Sequence, residues 1–436
     1  MQVQEMEIKN LRDLSAQEKN ALFNRFGSDF MTTMVETVVP IVDDVRKRGD
    51  EAVRDYCLKF DGAELPSLMA TDAEIEEGYK NTSREAVRAF SLARDNIVEY
   101  HKRQLRESYE YEREGSGTFG MKYHPVESAA IYVPGGKAAY PSSVLMGLVP
   151  AQIAGVKDLM LITPVKKDGK IPDAVCAVCR ILGVNNILKA GGAQGIAAAG
   201  FGTETVKKAQ IIVGPGNIFV TAAKSYLFSL GIVQIDSLAG PSETLVIADD
   251  SVNPKWTAYD LLSQAEHEEN ARAVLVGLSG EYVRDVVAEI EKNLSEGKGR
   301  ISIKKTSVQR HFKAFVADSV QEAVEFANKY APEHMQIMVR NAKSYLPSIR
   351  NVGSLFIGAY SPVSVGDYFS GTNHVLPTGG ACRFSSGLSV ETFCRRTTYQ
   401  MLSREGLERA VEPVTVMSEL EGFGDMHGGS LRVRFE

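Results

Sequence analysis

The sequence predicts an α/β protein with two incomplete Rossmann-like parallel-sheet domains, a helical N-terminal region and a small C-terminal tail domain. Three observations predict it. Short apolar runs alternate with helix-like segments between about residues 129 and 358. Glycine-rich turns follow several of those runs, as they do where ligands bind parallel sheets. A chain of 436 residues exceeds one ordinary core, so two or three domains are expected.

Taken in order, the chain up to about residue 130 reads mostly helical. Val39 to Phe60 carries apolar residues at helix-like spacing, and Gly49-Asp50 marks a turn between two helices. Ala129-Ala-Ile-Tyr-Val133 reads as a buried strand and Pro134-Gly135-Gly136 as a tight turn. After a helix-like segment come a strand at Leu159 to Thr163, a helix at Asp173 to Leu182 and a strand at Asn186 to Lys189. Gly191-Gly-Ala-Gln-Gly195 opens the next helix; Ile211 to Val213 is a strand that turns through Gly214-Pro-Gly-Asn217 into another. A second alternating stretch begins at Glu243 to Ala248, passes through a helix around Tyr259 to His267 and a strand at Ala273 to Val276, and ends near Phe356 to Gly358. Val390 to Glu436 reads as helical and then extended. It is too short for a large core and should pack on something else, such as a second subunit.

Composition narrows the function. Hydrophobic residues make up 44% and charged residues 24%, as in an ordinary globular protein. The formal net charge is -6, and the basic runs Arg46-Lys47-Arg48 and Lys207-Lys208 are short with acidic neighbours, which argues against nucleic-acid binding. Gln2, Glu5, Glu7 and Lys9 near the start predict no secretory signal. The apolar stretch Val144 to Thr163 is interrupted by Gln152, Lys157 and Asp158, so no membrane span is expected. The cysteines Cys57, Cys176, Cys179, Cys382 and Cys394 are odd in number and scattered, which predicts reduced thiols in a cytoplasmic protein. Cys176 and Cys179 form a CxxC with no second pair, and read as buried core thiols on a helix.

The chemistry is concentrated in a few segments. No GxGxxG is present, but three glycine-rich turns lie in one α/β unit: Pro134-Gly-Gly136, Gly191-Gly192 and Gly214-Pro-Gly216. Glycine allows close backbone approach and helix N-termini favour phosphate, so together they lean toward a nucleotide. Among seven histidines, His101, His124 and His311 suggest no role. Asp260-Leu-Leu-Ser-Gln-Ala-Glu-His267 reads as a helix with Gln264 and His267 on one face, a spacing that can bind one metal ion. Ala331-Pro-Glu-His334 sets a carboxylate beside an imidazole, suited to acid/base work near neutral pH. Gly366-Asp-Tyr-Phe-Ser-Gly-Thr-Asn-His-Val-Leu-Pro-Thr378 is a polar, glycine-flanked loop in which Asp367 is a candidate ligand and His374 a candidate substrate contact. Glu421 and His427 stand in a glycine-rich tail where packing does not call for them.

Read together with Tyr132-Val-Pro-Gly-Gly136, Tyr140-Pro-Ser-Ser-Val-Leu-Met146, Gly191-Gly-Ala-Gln194, Gly202-Thr-Glu-Thr205, Gly214-Pro-Gly-Asn217 and Ala239-Gly-Pro-Ser-Glu243, these segments resemble histidinol dehydrogenases, in family order over roughly residues 40 to 436. The resemblance implies oxidation of L-histidinol to L-histidine through a bound aldehyde, with two NAD used in turn. It implies one zinc per subunit held by Gln264, His267, Asp367 and His427, although an all nitrogen and oxygen set would also suit manganese or cobalt. Glu333 and His334 would be the catalytic pair. Tyr132, Gln194 and Asn217 would contact NAD. Ser242, Gln264, His267, His334, Asp367, His374, Glu421 and His427 would contact the substrate. The family implies a homodimer whose C-terminal segment completes the neighbour's site. The implied domains are an N-terminal helical segment 1–26, a discontinuous catalytic α/β domain 27–131 plus 247–388, an NAD-binding Rossmann-like domain 132–246 and a dimer-exchanged tail 389–436.

The sequence departs from that pattern in three places. Histidinol dehydrogenases usually carry Pro-Glu a few residues before Gly-Asp-Tyr; here Ser361-Pro-Val-Ser-Val-Gly-Asp367 puts Val363 at the glutamate position. Glu421 lies six residues before His427, where the family spacing is five. Glu127-Ser-Ala-Ala130 lacks the usual Arg-Val-Gly. A carboxylate at 363 would help to hold a cationic substrate and valine cannot, so the alternative is a relative that oxidises another small primary alcohol, such as a sulfonated propanediol.

Overall fold

A computed structural model describes residues 6–25, 29–135, 139–238 and 240–436. Gly136 and Ala239, at the edges of two of the motifs, and residues 1–5 lie outside the described residues.

Two parallel sheets dominate. The first has five strands in the order Ile187–Leu188, Asp158–Ile162, Ser128–Tyr132, Ile211–Val213, Gln234–Ile235, and every neighbouring pair is parallel. Its central strand is buried from Ala129 to Tyr132, as expected of a strand covered on both faces. The second has six strands in the order Ile8–Asn10, Lys313–Val316, Arg272–Gly277, Glu243–Ala248, His334–Met338, Ser354–Ile357, again all parallel. A separate antiparallel sheet joins Cys394–Leu402, Gly117–Pro125 and Tyr109–Arg113.

The helices on the first sheet come from unexpected parts of the chain. One face packs against Val39–Arg48, Asp50–Asp61, Gly192–Phe201 and Ile218–Ser229, in a core that includes Val42, Val53, Tyr132, Ile196 and Val220. The other face packs against Asp72–Asn81, Arg84–Lys102, Pro141–Ala154 and Asp173–Leu182, around Ile75, Ile97, Leu145 and Val178. So the helices between residues 39 and 102, grouped from the sequence with 247–388, share their cores with the five-stranded sheet. The N-terminal segment is not purely helical either, because Ile8–Asn10 closes the edge of the six-stranded sheet.

The tail runs opposite to the order read from its sequence. Cys394–Leu402 is the strand, and the helices Arg404–Leu420 and Gly424–Arg432 follow it. Thr397, Thr398 and Tyr399 are strand formers with an edge to pair with, and Ser403 caps the first helix by accepting a hydrogen bond from Gly406 N–H. Cys176 and Cys179 are buried free thiols, as the sequence predicted. No helix among the described residues is long and apolar enough to cross a membrane.

Candidate active site

The candidate site is built where strands begin. His334 is the first residue of His334–Met338, and Glu243 opens the neighbouring strand, with His334 in register with Thr244. Ala331 takes a left-handed conformation to end the preceding helix, so Pro332 and Glu333 form the turn into the strand. The Glu333–His334 pair therefore stands at the amino edge of the six-stranded sheet. Tyr132 and the glycine turns stand at the carboxyl edge of the five-stranded sheet, where ligands ordinarily bind.

Glu333 and His334 are both 5% exposed. The Glu243 backbone anchors them together: its N–H donates to Glu333 Oε2 at 2.8 Å, and its carbonyl accepts from His334 Nδ1 at 3.2 Å. With Nδ1 donating, Nε2 carries the lone pair whenever the imidazole is neutral. That Nε2 is buried without a hydrogen-bond partner and lies 3.5 Å from Asp367 Oδ1. Burial raises the Glu333 pKa above the ordinary carboxylate range, against the opposing charge of His334. Burial opposes the imidazolium of His334, but Glu333 and Asp367 outweigh it and hold its pKa above the usual value.

Asp367 belongs to the short helix Val363–Tyr368, which Gly366 lets approach closely: a Cβ there would overlap the Phe356 ring. Burial opposes its charge, yet His334, His374 and His267 hold its carboxyl below the ordinary value. His374 bonds through Nδ1 to the Asp367 carbonyl at 2.9 Å and through Nε2 to Ser143 Oγ at 3.1 Å. His267 faces Tyr140, with ring centroids 6.2 Å apart. Ser143 and Tyr140 follow the central strand of the other sheet, so these contacts bring the two sheets to one place.

Gln264 is buried, but the helix ends at Ala265, and His267 sits exposed in the turn beyond it. The two are thus presented by a helix end and its turn, where the sequence suggested one continuous helical face. Ser242 precedes Glu243 and is half-buried at the rim. Tyr132 is buried and its hydroxyl accepts from Gly192 N–H at 3.3 Å; burial pushes its pKa up to about 12. Gln194 is 2% exposed, with Oε1 lacking a hydrogen-bond partner. Asn217 caps the helix Ile218–Ser229 by accepting from Phe219 and Val220 N–H at 3.1 and 3.2 Å.

The tail residues do not join the others. Glu421 ends the helix Arg404–Leu420, and His427, in the exposed helix Gly424–Arg432, packs at a tilt against Phe423 with ring centroids 5.2 Å apart. Among the described residues no group of three or more His, Cys, Asp or Glu is placed to hold a metal. Three supporting residues escaped the sequence: Glu243, Ser143 and His101. His101 is fully buried and bonds Ile97 O at 2.9 Å and Asn373 Nδ2 at 3.3 Å, tying down the loop next to His374. Nothing local flags His101, since its neighbours are the charged residues of an amphipathic helix.

Comparison with known proteins gives a consistent answer. A family model described as histidinol dehydrogenase matches residues 25–435. The histidinol dehydrogenase of Leptospira interrogans serovar copenhageni is 45% identical over 413 residues, covering 95% of this chain and 96% of its own. That of Methanocaldococcus jannaschii is 41% identical over 433 residues, 99% of each. The crystal structure of histidinol dehydrogenase from Elizabethkingia anophelis matches with a TM-score of 0.91 at 35% identity, covering 99% of this chain and 98% of that one.

Proposed function

The chain belongs to the histidinol dehydrogenase family, and from that premise we propose that Glu333 and His334 carry out the oxidation of L-histidinol to L-histidine. It is an oxidoreductase of histidine biosynthesis. The observation that supports these roles is the buried His334 Nε2 without a partner, beside Asp367 and on a ring held by the same backbone residue, Glu243, as Glu333.

With Nδ1 committed to Glu243, His334 in its neutral form has Nε2 as the base that takes the substrate hydroxyl proton as hydride leaves the carbinol carbon. This yields the aldehyde. Glu333 in its ionised form, made a stronger base by the burial that raises its pKa, then takes a proton from a water that attacks the aldehyde carbon. The hydrate gives up a second hydride and becomes the carboxylate. Across both steps R–CH2OH and one water lose two hydrides and three protons. His374, fixed by Asp367 and Ser143, and Ser242 at the rim orient the substrate.

NAD, when bound, takes up the hydrides. Its site is Tyr132, Gln194 and Asn217, at the carboxyl edge of the five-stranded sheet; the unpartnered Gln194 oxygen fits such a ligand. Zinc, if bound, would polarise the alcohol oxygen. Gln264, His267 and Asp367 would hold it, with His427 from a second copy of the chain. This amide, carboxylate and imidazole set suits zinc, and Asp367 already lies in the field of His267. The exchange is favoured by the tail's poor self-sufficiency: Met417, Leu420, Phe423 and Met426 are all exposed. A homodimer that buries them gives Glu421 and His427 a neighbour's site to complete.

Activity on histidinol that chelation abolishes and zinc restores tests this reading. A second reading has one observation in its favour: Val363, 3% exposed, stands where the family carries glutamate. Under it the same chemistry serves a small alcohol without a cationic group. A zinc-loaded enzyme that ignores histidinol but oxidises such an alcohol would select the second reading.

A further inference from the structure

Two buried acceptor oxygens outside the catalytic pair lack hydrogen-bond partners at the same edge of the five-stranded sheet: Gln194 Oε1 and Asp61 Oδ2. Both belong to the surroundings of Cys57 and Tyr132. Burial pushes the Cys57 thiol up to about 12, with the Asp61 charge adding to it and a hydrogen bond from Gln194 opposing. Tyr132 also lies in the field of Asp61.

Asp61 is the last residue of Asp50–Asp61, which Gly62 ends in a left-handed conformation. That helix packs on Gly192–Phe201, the helix that carries Gln194. Cys57, Tyr132 and Ala193 share one core. The helix with Ser143, which touches His374, packs on the opposite face of the sheet. Asp61 therefore stands with the nucleotide residues and across the sheet from the reacting centre.

The chemistry of the orphaned atoms defines what would satisfy them. An ionised carboxylate and an amide oxygen only accept hydrogen bonds. A buried acceptor left unmatched is costly, so the ligand must bring donors. A ribose brings two adjacent hydroxyls. A 2′-phosphate brings acceptors and negative charge, which a half-buried carboxylate repels.

We propose that Asp61 accepts the hydroxyls of the adenosine ribose and makes the enzyme select a dinucleotide without a 2′-phosphate. This rests on the reading that Tyr132, Gln194 and Asn217 bind NAD, and it adds a specificity-determining residue to them. Asp61 looks like ordinary helix surface in the sequence; only the unpartnered oxygen singles it out.

Steady-state kinetics with NAD, NADP and NAD lacking the adenosine 2′-hydroxyl test it. The unmodified enzyme should show KM for the deoxy analogue raised about tenfold over NAD, the worth of one lost bond to a charged acceptor. Asp61→Asn should raise KM for NAD, abolish most of the deoxy penalty and narrow the preference for NAD over NADP at least about tenfold. An unchanged preference in Asp61→Asn, or an unmodified enzyme indifferent to the missing hydroxyl, overturns the assignment. The second measurement needs no variant and decides the matter even if Asp61→Asn fails to fold. Gln194→Ala separates the two levels. If its KM for NAD is unaltered, the nucleotide reading falls and Asp61 with it; if KM rises while Asp61→Asn keeps its preference, only Asp61 falls.

Discussion

The Arg25 guanidinium and the Glu243 carboxylate form a two-pronged ion pair, at 2.9 and 2.8 Å, with both side chains 1% exposed. Arg25 also stacks over Tyr330, 3.5 Å from its ring centroid, and Glu243 Oε1 accepts from Gly379 N–H at 3.1 Å. The N-terminal segment thereby fixes the residue whose backbone holds Glu333 and His334. Arg25→Met should strand a buried carboxylate and lower unfolding free energy by about 3–5 kcal/mol. Urea denaturation checks this; a loss below about 1 kcal/mol would mean that water or another cation replaces Arg25.

His101 should make stability fall on mild acidification. Burial, partly offset by its bond to Ile97, lowers its pKa in the folded protein. The unfolded chain then binds the proton first, so this contribution is complete above the ordinary histidine pKa of about 6.5 and declines below it. The decline should approach about 1.4 kcal/mol per pH unit from this group. Unfolding of the unmodified protein and of His101→Gln at mildly acid and neutral pH gives the comparison; equal slopes would remove His101 as the cause.

Gly214 should tolerate no side chain. Its φ is 117°, and a Cβ would overlap the Tyr132 carbonyl oxygen. The buried pair Lys224–Asp236 grips the same residue, through its N–H to Asp236 Oδ2 at 2.8 Å and its carbonyl to Lys224 Nζ at 2.9 Å. Gly214→Ala should cost about 1–3 kcal/mol in stability and raise KM for NAD. Thermal unfolding and KM together check it, and an unshifted KM would detach this turn from nucleotide binding.

The tail exchange proposed above makes a mixing prediction. Asp367→Asn and His427→Asn homodimers should each be nearly inactive. Co-refolding equal amounts should restore about a quarter of normal activity, because half the dimers are hybrids and each hybrid has one intact site. No recovery on mixing, with both variants folded, would place His427 in its own subunit or outside the site.

Much of the fold was legible because buried parallel strands leave apolar runs and glycine turns that local sequence preserves. What those elements pack against was not. Val42, Val53 and Ile97 mark the apolar faces of helices, but an apolar face does not state which sheet it covers. Ile8–Asn10 is too short to show a period, and the strand Cys394–Leu402 owes its form to its partner Gly117–Pro125. In the site, Glu333 and His334 could be paired by adjacency, whereas Glu243 acts through its backbone and the proposed Asp61 is marked only by an unmatched oxygen, neither of which has a residue-level signature.

Counting NADH formed per histidinol in a single turnover with excess NAD tests whether His334 and Glu333 divide two successive oxidations. The unmodified enzyme should form two NADH, whereas Glu333→Gln should keep the first phase and slow the second at least about a hundredfold. Two NADH at undiminished rate from Glu333→Gln would contradict that division.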